Sequence, residues 1–149
     1  MDMVFKDCLC FSVGRISRKL NKVTKESIAS YGLTTSQFFM LIALYEENGI
    51  LISKLAEKVA LDRATLTGLV DRLERDGLVK RTNDPNDRRA IKIYLTDKAE
   101  DLRHDLLEIY HKNNSMFLSI LSPKERQTFE AVVEKLDRAQ FMLHPGPDG

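Results

Sequence analysis

A chain of 149 residues, 43% of them hydrophobic and with a net charge of +1, is long enough to bury one core and too evenly charged to announce a nucleic-acid partner by its sum. No apolar run approaches the roughly 20 residues that span a bilayer, and the opening MDMVFKDCLCF lacks a basic leader followed by an unbroken apolar segment, so a cytoplasmic protein is expected. Two cysteines, Cys8 and Cys10, are too few and too close for a disulfide framework.

From Met3 to Ser30, the residues Phe5, Leu9, Val13, Ile16, Leu20 and Val23 keep three- and four-residue spacing. That spacing predicts a long amphipathic helix, stopped at Tyr31-Gly32. It is longer than a small core can cover, so part of its stripe is expected to meet a second subunit. Arg15, Arg18, Lys19, Lys22 and Lys25 on its other side read as solubilising charge. Thr34-Thr35-Ser36-Gln37 fits a capping box, Thr34 bonding forward and Gln37 reaching back, ahead of Phe38, Phe39, Leu41, Ile42 and Leu44 in a helix to about Glu47. Asn48-Gly49 breaks it, and Ile50-Leu51 can form a short strand.

Ser53 can cap a helix running to about Val59, and Asp62 can cap the next, because each side-chain oxygen can accept an otherwise unpaired amide hydrogen. In the second of these helices Leu66, Leu69, Val70 and Leu73 form the inward face. The opposite face carries Ala64, Thr67, Gly68, Asp71, Arg72 and Arg75, small, hydroxyl-bearing and basic side chains of the kind that let a helix approach a groove and grip phosphates. Arg63, Ala64, Thr65, Thr67 and Gly68 lie in the N-terminal half, where base edges are reachable, and Arg72 and Arg75 suit phosphates. Gly77 ends the helix.

Leu78 to Asn83 then reads as a strand, Asp84-Pro85-Asn86-Asp87 as a turn, and Ala90 to Leu95 as a strand in which Ile91, Ile93 and Leu95 alternate with Lys92 and Tyr94. Arg88 and Arg89 stand near the tip of this hairpin. The whole pattern predicts a mainly helical protein with a small β-wing, a winged helix-turn-helix. Beyond the wing, Thr96 can cap a helix to about Leu121 with a stripe of Leu102, Leu106, Ile109, Phe117 and Ile120. Ser122-Pro123-Lys124-Glu125 restarts a last helix carrying Phe129, Val132, Val133, Leu136 and Phe141. These two helices are expected to combine with the first into a dimer interface, and the final 143–149 to be a flexible tail.

Charge distribution agrees with the wing. From Arg63 to Lys92 there are eight Lys or Arg against five Asp or Glu, whereas the rest of the chain has fifteen against seventeen. A catalytic reading finds little support. His104 and His111 share a helix face and His144 stands apart, but no carboxylate or cysteine completes a metal set, and neither a phosphate loop nor a nucleophile elbow is present. No enzyme, no metal and no cofactor are expected. Cys8 and Cys10 are two positions apart, hence about 200° around a helix, and cannot easily bridge or share an ion.

The run LDRATLTGLVDRLERDGLVKRTNDPNDRRAIKIYLT resembles the DNA-binding core of the MarR family of bacterial and archaeal regulators. Its wing motif, Asp-x-Arg followed by an apolar strand and Leu-Thr, is matched by Asp87, Arg89 and Leu95-Thr96. The resemblance implies a single domain over 1–149, with a winged core at 33–96 and dimerisation helices at 3–31 and 97–142. It implies a homodimer on a palindromic operator, recognition helices in successive major grooves about 34–36 Å apart, and Arg89 in the minor groove, held by a charge-assisted bond from Asp87. It also implies a repressor released by a small phenolic or aromatic carboxylate, with Cys10, Arg15, Tyr31 and Phe39 as candidate pocket residues. Leu9-Cys10-Phe11, Arg18 and LDRATLT further resemble the peroxide-sensing OhrR branch, which gives the alternative of a thiol-based sensor acting through Cys10. The positions of that branch's activating tyrosines hold Thr24 and Thr35 here, which leaves Tyr31, at a neighbouring position, as the substitute donor that could stabilise a thiolate.

Overall fold

The computed structural model describes residues 8–87 and 89–139. Arg88, the start of the first helix from Met3, Phe141 and the 143–149 tail therefore lie outside the described residues. Among the described residues, no helix is long and apolar enough to cross a membrane.

The first helix, α1, runs from Leu9 to Ser27 and ends earlier than the Ser30 read from its spacing. Ile28 leaves the helix and is fully buried, and a 3₁₀ turn (Ala29–Tyr31) closes on Gly32, whose φ of 66° lets the chain reverse. α2 (Thr35–Glu46) starts from the expected capping box: Gln37 N–H donates to Thr34 Oγ1 at 3.2 Å, and Thr34 N–H to Gln37 Oε1 at 2.9 Å. α2 is the central element, with Phe38, Met40, Leu41, Ala43, Leu44 and Tyr45 all buried. Phe39 is the exception, exposed and edge-on to Phe38.

β1 (Ile50–Leu51) passes directly into α3 (Ile52–Lys58). For that reason Ser53 does not cap the helix as its side chain suggests. Leu51 occupies the capping position without a side-chain bond, and Ser53 already lies inside the first turn. Ahead of β1, Gly49 has φ 79°, and a Cβ there would stand 2.6 Å from the Tyr94 ring, so only glycine fits. Between α3 and α4 (Arg63–Arg75) the chain turns through Ala60, a non-glycine residue at φ 51°. β2 (Val79–Asn83) and β3 (Ile91–Leu95) follow, and the sheet order is β1-β3-β2, antiparallel throughout. Its register sets Ile50 against Ile93 and Val79 against Leu95.

The inward faces meet in one core. Leu55 of α3, Leu66, Leu69, Val70 and Leu73 of α4, and Val79, Ile93 and Leu95 of the sheet pack with the buried side of α2. After the sheet, Thr96 Oγ1 accepts from Ala99 N–H as expected. The single helix read from Thr96 to Leu121 is instead two, α5 (Asp97–Asp101) and α6 (Arg103–Leu118). Leu102 keeps helical torsions between them, and Arg103 is drawn to α2, donating to the Tyr45 carbonyl while its guanidinium lies over the Tyr45 ring. Tyr45 donates its hydroxyl to the Ala99 carbonyl at 2.6 Å, and burial pushes that phenol up to about 12.

Residues up to Asn113 form one compact unit and those from Asn114 a second, the division falling inside α6. In the second unit, α7 (Pro123–Arg138) begins with the expected box of Ser122 and Glu125 and has Pro123 in its first turn. None of its residues is buried, and Phe129, Val132, Val133 and Leu136 stand exposed, as does Ile120 at 84%.

Candidate nucleic-acid interface

α4 owes its start to Asp62, which accepts Thr65 N–H at 2.9 Å and the Thr65 hydroxyl at 2.5 Å. The Thr65 hydroxyl first, and the backbone N–H groups of the first turn after it, hold the Asp62 carboxyl below its ordinary value. Thr67 donates to the Arg63 carbonyl at 2.8 Å. Both hydroxyls therefore spend their proton inside the protein and present lone pairs outward, which suits them to accept from a base amino group rather than donate. Arg63, Ala64, Thr65, Thr67, Arg72 and Arg75 are exposed, and a Cβ added to Gly68 would meet nothing within 4 Å. Gly68 is thus not demanded by internal packing. Of the six residues 63–68, only Leu66 is buried.

The far end of α4 is held by three side chains, one from α2 and two from the start of α5. Gln37 Nε2 on α2 donates to Asp76 Oδ2 at 2.9 Å, Lys98 Nζ to the Asp76 carbonyl at 2.8 Å, and Thr96 Oγ1 to the Gly77 carbonyl at 2.7 Å. The Lys98 bond satisfies the carbonyl of the C-cap Asp76, and the Thr96 bond that of the glycine just past it. Gln37 is only 4% exposed, and its one amide serves both the cap of α2 and the end of α4. The capping pattern revealed the first role; nothing in the local sequence marked the second.

The wing turn is built from carboxylates. Asp84 Oδ1 accepts Asn86 N–H at 2.8 Å, an Asx turn, and Lys92 Nζ reaches Asp84 Oδ2 at 2.8 Å from the opposite strand. The Lys92 ammonium first, then the Asn86 N–H, keeps Asp84 below its usual range, and Asp84 in turn raises Lys92. Asp87 Oδ1 accepts the backbone N–H of Arg89 at 2.9 Å. The expected charge-assisted bond from Asp87 to the Arg89 guanidinium is not made; Asp87 shapes the turn instead, and the exposed Arg89 side chain forms no ion pair among the described residues.

Another wing cation, absent from the expected site, is committed to α4. Arg81 on β2 pairs with both Asp71 and Glu74. Burial alone would lower its pKa, and the two carboxylates more than offset this and raise it.

The residues suggested for an effector are not brought together by any hydrogen bond or ion pair among the described residues. Cys10 and Arg15 are exposed on α1. Tyr31 donates its hydroxyl to Asp105 Oδ2 at 3.2 Å, and partial burial and that carboxylate raise the phenol. Thr24 is buried and donates to its own helix at Leu20 O. Neither hydroxyl is directed at a cysteine. No cluster of His, Cys, Asp and Glu fit for a metal occurs among the described residues, and His111 lies edge-on to Tyr110.

The family model described as "MarR family" matches residues 33–91. The HTH-type transcriptional regulator MgrA of Staphylococcus aureus is 35% identical over 102 residues, 68% of this chain and 69% of MgrA. The chain belongs to the MarR family. A second regulator of this type, TtmR of Methylorubrum extorquens, is 36% identical over 95 residues, 64% of this chain; the matched stretch spans about half of TtmR, 49% of its length. Among solved structures, the PcaV transcriptional regulator of Streptomyces coelicolor, in complex with its natural ligand, superposes with a TM-score of 0.80 at 27% identity, covering 93% of this chain and 99% of PcaV. The winged fold expected from the sequence is thus the fold of its MarR relatives, and those relatives are transcriptional regulators rather than enzymes.

Proposed function

We propose that this MarR protein is a homodimeric repressor that lays α4 of each subunit in the major groove of a palindromic operator, sets Arg89 in the adjoining minor groove, and is released by a small aromatic acid. The observation that carries the reading is the outward face of α4. Its first turns are small, hydroxyl-bearing and uncovered, its last turn is basic, and the buried Leu66, Leu69, Val70 and Leu73 fix which side that is. Arg63, Ala64, Thr65, Thr67 and Gly68 read bases, Arg72 and Arg75 hold phosphates, and the wing supplies Arg89 with Arg88 beside it.

Exposed apolar surface supports the dimer. Leu9, Val13, Ile16 and Leu20 form an exposed stripe on α1, and α7 exposes another. Stripes of that length need cover, and a second copy places two α4 helices on one side of a duplex at about one turn, roughly 34–36 Å. Release requires only that the effector bind a dimer with the wrong helix separation more tightly than the operator-binding form. The complex of PcaV with its natural ligand supports regulation by an effector, and Arg15, Tyr31 and Phe39 offer a cation, a phenol and an uncovered ring for an aromatic carboxylate. A peroxide switch at Cys10 has less behind it, because the Tyr31 and Thr24 hydroxyls are committed to Asp105 and Leu20.

Footprinting on DNA upstream of the protein's own coding sequence, with and without a panel of aromatic acids, tests the reading. A protected palindrome that is lost with one acid is expected, and uniform weak protection of any sequence would overturn it. Arg89→Ala is expected to weaken binding and lower the salt slope by about one. Unchanged affinity and slope would remove the wing from the interface.

A further inference from the structure

The face of α4 assigned to DNA carries two carboxylates, Asp71, which the helical spacing already places there, and Glu74 beside it. Asp71 and Glu74, flanking Arg72 and Arg75, have side chains 59% and 40% exposed. On a surface that meets a polyanion, two uncompensated carboxylates repel phosphates and cancel two of the three arginines of the helix.

Both carboxylates are occupied by one side chain from another element. Arg81 of β2 donates through Nη2 to Asp71 Oδ1 and through Nη1 to Glu74 Oε2, and its backbone N–H adds a bond to Glu74 Oε1 at 3.2 Å. Nη2 also lies 3.5 Å from the Thr67 carbonyl oxygen, on the turn that carries the small outward residues. The Arg81 side chain is 23% exposed, much less than either partner. No other wing cation pairs with α4 among the described residues; Lys92 is engaged by Asp84. A planar fork with several donors can hold two separate carboxylates and a carbonyl at once, which a lysine ammonium does less well.

We propose that Arg81 is a positioning residue for DNA recognition: it fixes the wing against α4 and neutralises Asp71 and Glu74, so that α4 meets the phosphate backbone as a cationic surface. This rests on the reading that the outward face of α4 meets DNA. The Arg81 guanidinium is engaged by Asp71, Glu74 and the Thr67 carbonyl. Its effect is exerted through the charge and placement of its neighbours.

The test uses the full chain and a random-sequence duplex at low salt, which reads the electrostatic contribution without knowledge of the operator, with thermal unfolding measured in parallel. Arg81→Ala is expected to weaken binding about tenfold or more, since two carboxylates are unmasked. Arg81→Lys is expected to recover only part of this. The decisive variant adds Asp71→Asn and Glu74→Gln to Arg81→Ala. It is expected to regain most of the lost affinity even if the unfolding midpoint stays low, an outcome that a merely structural role does not produce. Arg81→Ala binding like the wild type, or a loss that the triple variant leaves in place, overturns the proposal. Arg75→Ala separates this from failure of the underlying reading. If Arg75→Ala weakens binding and Arg81→Ala does not, only the role of Arg81 falls; if Arg75→Ala has no effect either, α4 is not the DNA-facing helix and both fall.

Discussion

α4 and α7 are both amphipathic helices with a side-chain cap at the start, yet they end in opposite conditions. α4 buries Leu66, Leu69, Val70 and Leu73 against α2, α3 and the sheet, while α7 buries nothing and leaves Phe129, Val132, Val133 and Leu136 in solvent. The sequence pattern is of one kind in the two helices; what differs is whether the apolar face is buried. Burial of each such side chain contributes roughly 1.5–3 kcal/mol, so an uncovered stripe of four is a strong demand for a second surface. α4 buries its apolar face inside the chain and leaves its polar face outward, whereas α7 leaves its apolar face exposed.

The comparison can be broken most severely on the α4 side. Leu73 is fully buried, and Leu73→Ala is expected to cost about 2–5 kcal/mol of unfolding free energy, read by denaturant titration, because the cavity cannot collapse among so many packed neighbours. A loss under about 1 kcal/mol would mean that the α4 stripe is not the core it is taken for. The α7 side should respond differently. Phe129→Glu combined with Val133→Glu removes two exposed apolar groups, so secondary structure by circular dichroism should survive while sedimentation shifts from dimer to monomer and operator affinity falls by roughly a hundredfold or more. Retention of the dimer would place the partner surface elsewhere.

The smallest effect concerns the wing, which charge holds where apolar contact holds α4. Asp84 is held below its ordinary 3.8 chiefly by the Lys92 ammonium, so its contribution is complete above pH 3.8 and is lost as pH falls through the lower folded-state value. Asp84→Asn should therefore lower the unfolding midpoint slightly at neutral pH, and the gap between variant and wild type should narrow only below pH 3.8. A gap that is the same at neutral pH and in strong acid would show that the pair contributes nothing.

Much of this architecture was legible because it is local. Capping at Thr34, Asp62, Thr96 and Ser122, the end of α4 at Gly77 (φ 73°) and the alternation of β3 depend on residues within a few positions of one another, and each stands where the spacing sets it. Local reading failed where two elements abut or compete. Ser53 lost its capping role because β1 runs straight into α3, and the long helix after the wing divides at Leu102, next to the Arg103 that is tied to Tyr45 of α2. The site divides the same way. The outward residues of α4 follow from the helical period, whereas Arg81, Gln37 and the Asp84 to Lys92 pair act across elements and carry no mark in their own neighbourhood.

The amino-acid order by itself determined most of the helices, the wing and the side of α4 that faces outward, because periodicity and end-capping are properties of a few consecutive residues. The tertiary structure alone decided that Ala60 takes a left-handed turn without a glycine, that Gly49 must make room for Tyr94, and that one arginine of the wing silences two carboxylates of α4. Those outcomes depend on which distant groups come within hydrogen-bonding or van der Waals reach, a matter of packing that no local pattern encodes.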